Sequence, residues 1–213
     1  MKPSLAAAIL LLLPSPAFGH RLDEYLQGTL ISVGKDSLQA ELTLTPGVAV
    51  FPFVSAGIDT NRDGIISGGE QQAYALRILR DLSFSIDGRP LLLELRSIEF
   101  PNLADMKEGL GGIRLKFTAN VPRGGQTRRL MFENHHQPRL SAYLVNCLVP
   151  DDSDIRVIAQ VRNESQSVYQ LDYTQAGPPP NRAWLVPLAL LLFTRFAFLQ
   201  FRRGAGSFRK RRV

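Results

Sequence analysis

The chain has 213 residues, of which 45% are hydrophobic and 21% are charged, and its formal net charge is +6. These values are ordinary for a folded globular chain and leave room for one domain plus targeting segments. Eight of the 25 basic residues lie in 182–213, which has no acidic residue, and one lies in 1–19. Residues 20–181 therefore carry 16 basic and 19 acidic side chains. Because a nucleic-acid-binding domain needs its positive charge on the binding surface, we expect no nucleic-acid partner.

Residues 1–19 have the features of a secretory signal peptide. Lys2 precedes an apolar run, Leu5–Leu13, and the small residues Ala17 and Gly19 match the pattern of a cleavage site. The apolar run is too short to span a bilayer. We predict cleavage after Gly19 and a mature chain that begins at His20; the alternative is an uncleaved anchor.

Residues 20–176 are predicted to form an extracytoplasmic antiparallel β-sandwich. Apolar and polar residues alternate with a period of two, which is typical of half-buried strands. Asp87-Gly88 is the strongest hairpin signal and is predicted to join strands at 82–86 and 91–95. About eight short strands at this spacing favour a sandwich. The clearest alternating runs are 38–44, 113–119, 130–132, 155–161 and 169–173.

Residues 51–82 interrupt the strand pattern with a helical period. Ala73, Leu76 and Leu79 recur on one stripe, as on the face of an α-helix. We therefore predict a helix–loop–helix inserted between the second and third strands.

The loop of this insertion, Asp59 to Glu70, matches an EF-hand calcium loop. Such a loop needs oxygen ligands at positions 1, 3, 5, 7, 9 and 12, and the ligand at position 7 is a backbone carbonyl. It also needs glycine at position 6 for the sharp turn. Gly64 stands at position 6. The predicted Ca²⁺ ligands are Asp59, Asn61, Asp63, the carbonyl of Ile65, Ser67 and Glu70.

Two features predict weak affinity for Ca²⁺. Only three of the ligands are carboxylates, and Gly68-Gly69 raises the entropy cost of ordering the second helix. We expect a dissociation constant of about 10⁻⁵–10⁻³ M, as in extracellular modules, and a mainly structural ion. The alternative is a degenerate turn that no longer binds Ca²⁺.

The three histidines, His20, His135 and His136, suggest a second metal hypothesis. After cleavage, His20 would carry a free α-amine beside its imidazole, and an imidazole from Asn134-His-His-Gln137 would add a third nitrogen. Nitrogen ligands of this kind suit Cu²⁺ and Ni²⁺. The alternative is that these histidines are ordinary surface or loop residues.

The C-terminal end is predicted to anchor the domain. A proline-rich linker at 177–182 leads to 19 mostly apolar residues, 183–201, which are long enough to span a bilayer as a helix. The basic tail 202–213 then lies on the cytoplasmic side under the positive-inside rule. Arg195 is costly in a bilayer unless its side chain reaches the interface. The alternatives are a sorting tail removed after export and the first helix of a longer membrane protein.

Several segments together resemble a bacterial exported EF-hand domain. They are His20–Gln27, Leu44–Val48, the calcium loop and Leu144–Pro150. The domain is similar to the extracytoplasmic part that precedes some hydrogenase/urease accessory (HupE/UreJ-type) nickel or cobalt permeases. The resemblance covers about residues 20–175 and implies a periplasmic calcium-binding module that serves a membrane transporter. Because this chain has only one predicted span, the resemblance does not extend to transport activity.

We therefore predict a calcium-binding, single-pass adaptor module of the bacterial inner membrane, with its main domain in the periplasm or outside the cell. It is not expected to be an enzyme, because no nucleophile, phosphate-loop or zinc-protease motif is present in the sequence. The lone Cys147 is expected to be a buried, inert thiol. The alternative functions are an accessory module for Ni, Co or Cu handling and the detached N-terminal part of a HupE/UreJ-like permease.

Overall fold

The computed structural model describes residues 23–176, and this part of the chain is mainly β. Three short helices interrupt the strands, at Phe51–Ile58 (α1), Gly68–Arg80 (α2) and Leu103–Lys107 (α3). The strands are β1 Tyr25–Val33, β2 Ser37–Pro46, β3 Leu82–Ile86, β4 Arg89–Pro90, β5 Glu94–Glu99, β6 Ile113–Asn120, β7 Thr127–Asn134, β8 Ser141–Cys147, β9 Ile155–Arg162 and β10 Val168–Gln175.

The strands form two five-stranded sheets. Sheet A has the order β5-β6-β2-β1-β8, and sheet B has the order β4-β3-β7-β10-β9. The strand pairs are antiparallel except for β1 and β8, which run parallel with Tyr25 opposite Ser141. The prediction of a mainly β, largely antiparallel fold is confirmed, and the parallel pair was not predicted.

The alternation in the sequence decides which side chains enter the core. In β2, Leu38, Ala40, Leu42 and Leu44 are buried, whereas the residues between them are half-buried or exposed. Residues of both sheets belong to one buried hydrophobic cluster. In that cluster the ring of Phe84 in sheet B lies 6.1 Å from the ring of Phe117 in sheet A.

The predicted hairpin after β3 is correct at its turn and wrong in its second strand. Asp87 and Gly88 have φ values of 53° and 75°, as a tight hairpin turn requires. The second strand, β4, ends at Pro90, and the chain passes to sheet A, where β5 pairs with β6. The N–H of Leu91 makes one further bond to the carbonyl of Phe84 at 2.8 Å before the chain leaves sheet B.

Helix α2 buries a different face from the apolar stripe that predicted it. Its buried side chains include Tyr74, Ala75 and Ile78, whereas Leu76 is 41% exposed. Tyr74 is preferred inside because its hydroxyl finds buried hydrogen-bond partners, as described below. Helix α2 therefore carries apolar residues on two faces.

Several predicted segments lie outside the described residues. They are the signal peptide 1–19, His20, the linker 177–182, the span 183–201 and the tail 202–213. Within residues 23–176, none of the helices has the length and hydropathy needed for a membrane crossing.

Candidate metal centre

Residues 59–67 connect two helices that are both fixed in the hydrophobic core. Helix α1 buries Val54 and Ile58, and helix α2 buries Tyr74 and Ile78. Each anchoring residue is at most 1% exposed. The two ends of the candidate calcium loop are consequently held by packing that does not depend on an ion.

Within the loop, polar side chains accept hydrogen bonds from the loop's own backbone. The carboxylate of Asp59 accepts from the N–H of Asp63 at 3.2 Å and from the N–H of Gly64 at 2.9 Å. Asn61 Oδ1 accepts from the N–H of Asp63 at 3.0 Å, and Asp63 Oδ1 accepts from the N–H of Ile65 at 2.8 Å. The three side chains are thereby gathered at one turn.

Left-handed backbone at two positions produces this turn. Arg62 has φ 61° and Gly64 has φ 79°. Glycine adopts such angles without the steric penalty of a Cβ, which explains why this residue type is required at the sixth loop position.

Glu70 connects the end of the loop to its beginning. Its Oε1 accepts from the N–H of Thr60 at 2.8 Å, and its Oε2 accepts from the N–H and the hydroxyl of Ser67 at 3.0 and 2.8 Å. The N–H of Glu70 in turn donates to Ser67 Oγ, which completes a capping box at the start of α2.

These contacts keep Glu70 ionised. The N–H of Ser67, its hydroxyl and the N–H of Thr60, in that order of importance, lower the pKa of the Glu70 carboxyl to about 2. A carboxylate that is charged at neutral pH is the form that a calcium ion requires.

The arrangement brings the predicted ligands into one short loop, but it is not a preassembled cage. In the described part of the chain there is no group of three or more His, Cys, Asp or Glu side chains arranged to hold a metal ion. Asp59, Asp63 and Glu70 each use carboxylate oxygens to accept backbone hydrogen bonds. A carboxylate oxygen has a second lone pair, so these bonds leave capacity for a cation.

The charge of the loop also favours a divalent cation. Residues 59–70 contain three acidic side chains and one basic side chain, Arg62, which gives a net charge of −2. Arg62 is exposed, so it can point away from a bound ion. The side chain of Ile65 takes no part in the predicted site, since only the backbone carbonyl of this residue was predicted to be a ligand, and Ile65 is 69% exposed.

The structure places His135 and His136 in different environments. His135 is exposed, and its Nε2 lies 2.9 Å from Glu133 Oε2. His136 is 1% exposed, and both ring nitrogens have protein partners: Asp81 Oδ2 lies 2.7 Å from Nδ1 and the Tyr74 hydroxyl 3.2 Å from Nε2. A metal on His136 would have to displace one of these partners.

A buried polar network around His136 was not predicted from the sequence. The hydroxyls of Tyr25 and Tyr74 lie 2.9 Å apart, and Asn134 Nδ2 donates to Gln27 Oε1 at 2.9 Å. Asn134 Oδ1 accepts from the N–H of His136 at 2.9 Å. The network connects β1, α2 and the end of β7, and the polar run Asn134–Gln137 inside a β-rich sequence was its only signal.

Burial determines the protonation of this network. Removal from water lowers the pKa of His136, and the nearby Asp81 carboxylate only partly opposes this effect. Burial likewise raises the pKa of Tyr74 to about 12. The network is therefore neutral at its centre at physiological pH.

The single cysteine is half-buried rather than fully buried. Burial raises the pKa of the Cys147 thiol to about 11, so the reactive thiolate is scarce at neutral pH.

A scan of protein-family models gives no match to this chain, and no curated protein matches its sequence.

Proposed function

We propose that the chain is a calcium-binding, membrane-tethered extracytoplasmic module whose ion has a mainly structural role. One observation carries the proposal. The oxygens of Asp59, Asn61 and Asp63 are gathered at one tight turn, and Glu70 reaches back to the start of the same loop. The spacing of these residues also satisfies the EF-hand ligand positions.

The position of the loop supports a structural role. Glu70 lies in the first turn of α2, and Tyr74, one turn further, reaches the buried polar network. An ion held by Glu70 would fix the start of a helix whose middle is already anchored. Since an ion that binds only the folded chain stabilises it by mass action, calcium would raise the stability of the inserted helices.

The sandwich and the tether complete the proposal. Packing of Phe84 against Phe117 supports a face-to-face arrangement of sheets A and B. The apolar segment 183–201 and the basic tail 202–213 are the basis for a single-pass anchor. The module would then present a calcium-stabilised surface to a membrane partner, and a transporter is the partner class that the sequence resemblance suggests.

A calcium titration of the full-length protein in a calorimeter tests the ligand assignment. We expect Glu70→Gln to weaken calcium binding at least about tenfold, because the substitution removes the charge of the predicted bidentate ligand. Glu164→Gln is the matched control, since Glu164 is exposed and lies outside the loop. Equal calcium affinity in the parent and Glu70→Gln proteins would refute the assignment.

A further inference from the structure

A groove of about 740 Å³ lies beside helix α2, outside the calcium loop. One wall is formed by Leu76, Leu79 and Arg80 of α2, and the other by Leu91–Leu93, the segment that passes from sheet B to sheet A. Residues of β3, of the following turn and of β4 complete the lining: Leu82, Ser83, Phe84, Ser85, Gly88 and Pro90. The volume is within the range of about 300–1,000 Å³ that is typical of binding pockets.

The walls of this groove are apolar and partly open to solvent. Leu92 is 83% exposed and Leu76 is 41% exposed. Leu76 belongs to the second apolar face of α2, on which Leu79 packs against the core whereas Leu76 stays exposed. An apolar concave surface rimmed by polar residues is typical of a binding site.

Positive charge at the rim indicates the chemistry of the partner. Arg80 lines the groove and Arg89 lies next to it in β4, and both are exposed. Neither forms an ion pair with any carboxylate in residues 23–176. The adjacent acids are already engaged, Asp81 by His136 and Asp87 by Arg128.

We propose that this groove docks an apolar peptide segment of a protein partner, and that a carboxylate of that segment pairs with Arg80. Apolar side chains would occupy the space between Leu76 and Leu92, and the carboxylate would fix the register. The concave shape and the serines of the lining favour a peptide over a bilayer, which needs several apolar side chains that project outward. The site does not depend on bound calcium.

Selection from a random peptide display library on the full-length protein tests the proposal. We expect the selected peptides to combine leucine or phenylalanine with aspartate or glutamate. Their affinity should fall about tenfold for Leu92→Ser and for Arg80→Glu, because each substitution removes one of the two contacts that define the site. Both side chains are exposed, so the variants should stay folded, although Arg80→Glu reverses a favourable charge in the last turn of α2 and should lower the melting temperature slightly.

Two control variants match these changes elsewhere on the surface. Leu110→Ser removes a leucine that is 80% exposed, and Arg123→Glu reverses an exposed arginine. Neither residue lines the groove, and neither control should change peptide affinity. Repeating the measurement in EDTA should leave peptide affinity unchanged, so loss of calcium binding and loss of the groove are separable results.

Three results would overturn the proposal. The first is a selection that yields no peptides, or only peptides whose binding is insensitive to Leu92→Ser. The second is enrichment of lysine or arginine in place of acidic residues. The third is flotation of the parent protein, but not of Leu92→Ser, with phosphatidylglycerol vesicles when no peptide binds, which would assign the leucines to a membrane surface.

Discussion

Helix α2 is held in different ways at its two ends. At the first turn, next to an exposed loop, the side chains of Ser67 and Glu70 form reciprocal hydrogen bonds, and every hydrogen bond of the Glu70 side chain is to a residue within ten positions. Toward the other end, Tyr74 bonds to Tyr25 and His136, which are 49 and 62 positions away, and Asp81, directly after the helix, also bonds to His136. One end is fixed by local polar contacts and the other by long-range buried contacts.

This difference determines how each end responds to a change in the solvent or in the sequence. Water and ions can reach the exposed loop, so under the calcium proposal its order would respond to the ion and to salt. The centre of the buried network is shielded from solvent, and a polar atom left without its partner there costs the desolvation of that atom. We therefore expect the largest effects on stability from the buried end.

The most destabilising change should be Asn134→Ala. Asn134 is 2% exposed, donates to Gln27 and accepts from the N–H of His136, so its removal leaves two buried groups without partners. We expect the free energy of unfolding to fall by about 2–4 kcal/mol in urea denaturation, whether or not calcium is present. The control Asn120→Ala removes an exposed asparagine and should cost less than about 0.5 kcal/mol. Similar losses in the two variants would show that the network does not support the fold.

Removal of calcium should have a smaller effect, confined to the exposed end. If the dissociation constant is about 10⁻⁴ M, calcium at about 1 mM stabilises the fold by about 1.4 kcal/mol. We expect EDTA to lower the melting temperature of the parent by about 3–6 °C for a chain of this size, and that of Glu70→Gln by less. A melting temperature that does not respond to EDTA would mean that the loop holds no calcium in the folded chain.

The two ends of α2 also differ in how far the sequence predicted them. The candidate calcium loop is a local motif, since its residues lie within a short run and their spacing determines which atoms can meet. The predicted residues Asp59, Asn61, Asp63 and Glu70 do share one hydrogen-bonded loop in the structure. Thr60, whose N–H binds Glu70, was missed because a backbone donor has no signature in the sequence.

The buried network could not be predicted from the sequence because it depends on the topology. Tyr25, Tyr74 and His136 meet only after β1 and α2 are placed against the end of β7, and no spacing rule connects them. The same limit explains the hairpin after β3, where the turn was correct and the course of the chain beyond Pro90 was not. Period-two alternation predicted most strands, but it does not report which sheet a strand joins.

The smallest expected effect is a pH dependence that arises from His136. The groups around its ring are Asp81, Tyr74, Arg77 and Tyr25, and burial is the largest cause of its lowered pKa. The unfolded chain takes up a proton near the model-compound pKa of 6.5, whereas the folded chain resists protonation. The contribution of this histidine to stability is therefore fully present above that pH and is lost as the pH falls below it toward the folded pKa.

Urea denaturation at a series of pH values measures this contribution. One proton taken up only by the unfolded chain changes the free energy of unfolding by about 1.4 kcal/mol per pH unit at most. We expect this slope in the parent below about pH 6.5, and its loss in His136→Gln, which cannot titrate. His135→Gln is the adjacent control and should keep the parent slope, because His135 is exposed. If His136→Gln retained the slope and His135→Gln lost it, the buried end of α2 would not be the pH-sensitive one, and the contrast between its two ends would fail.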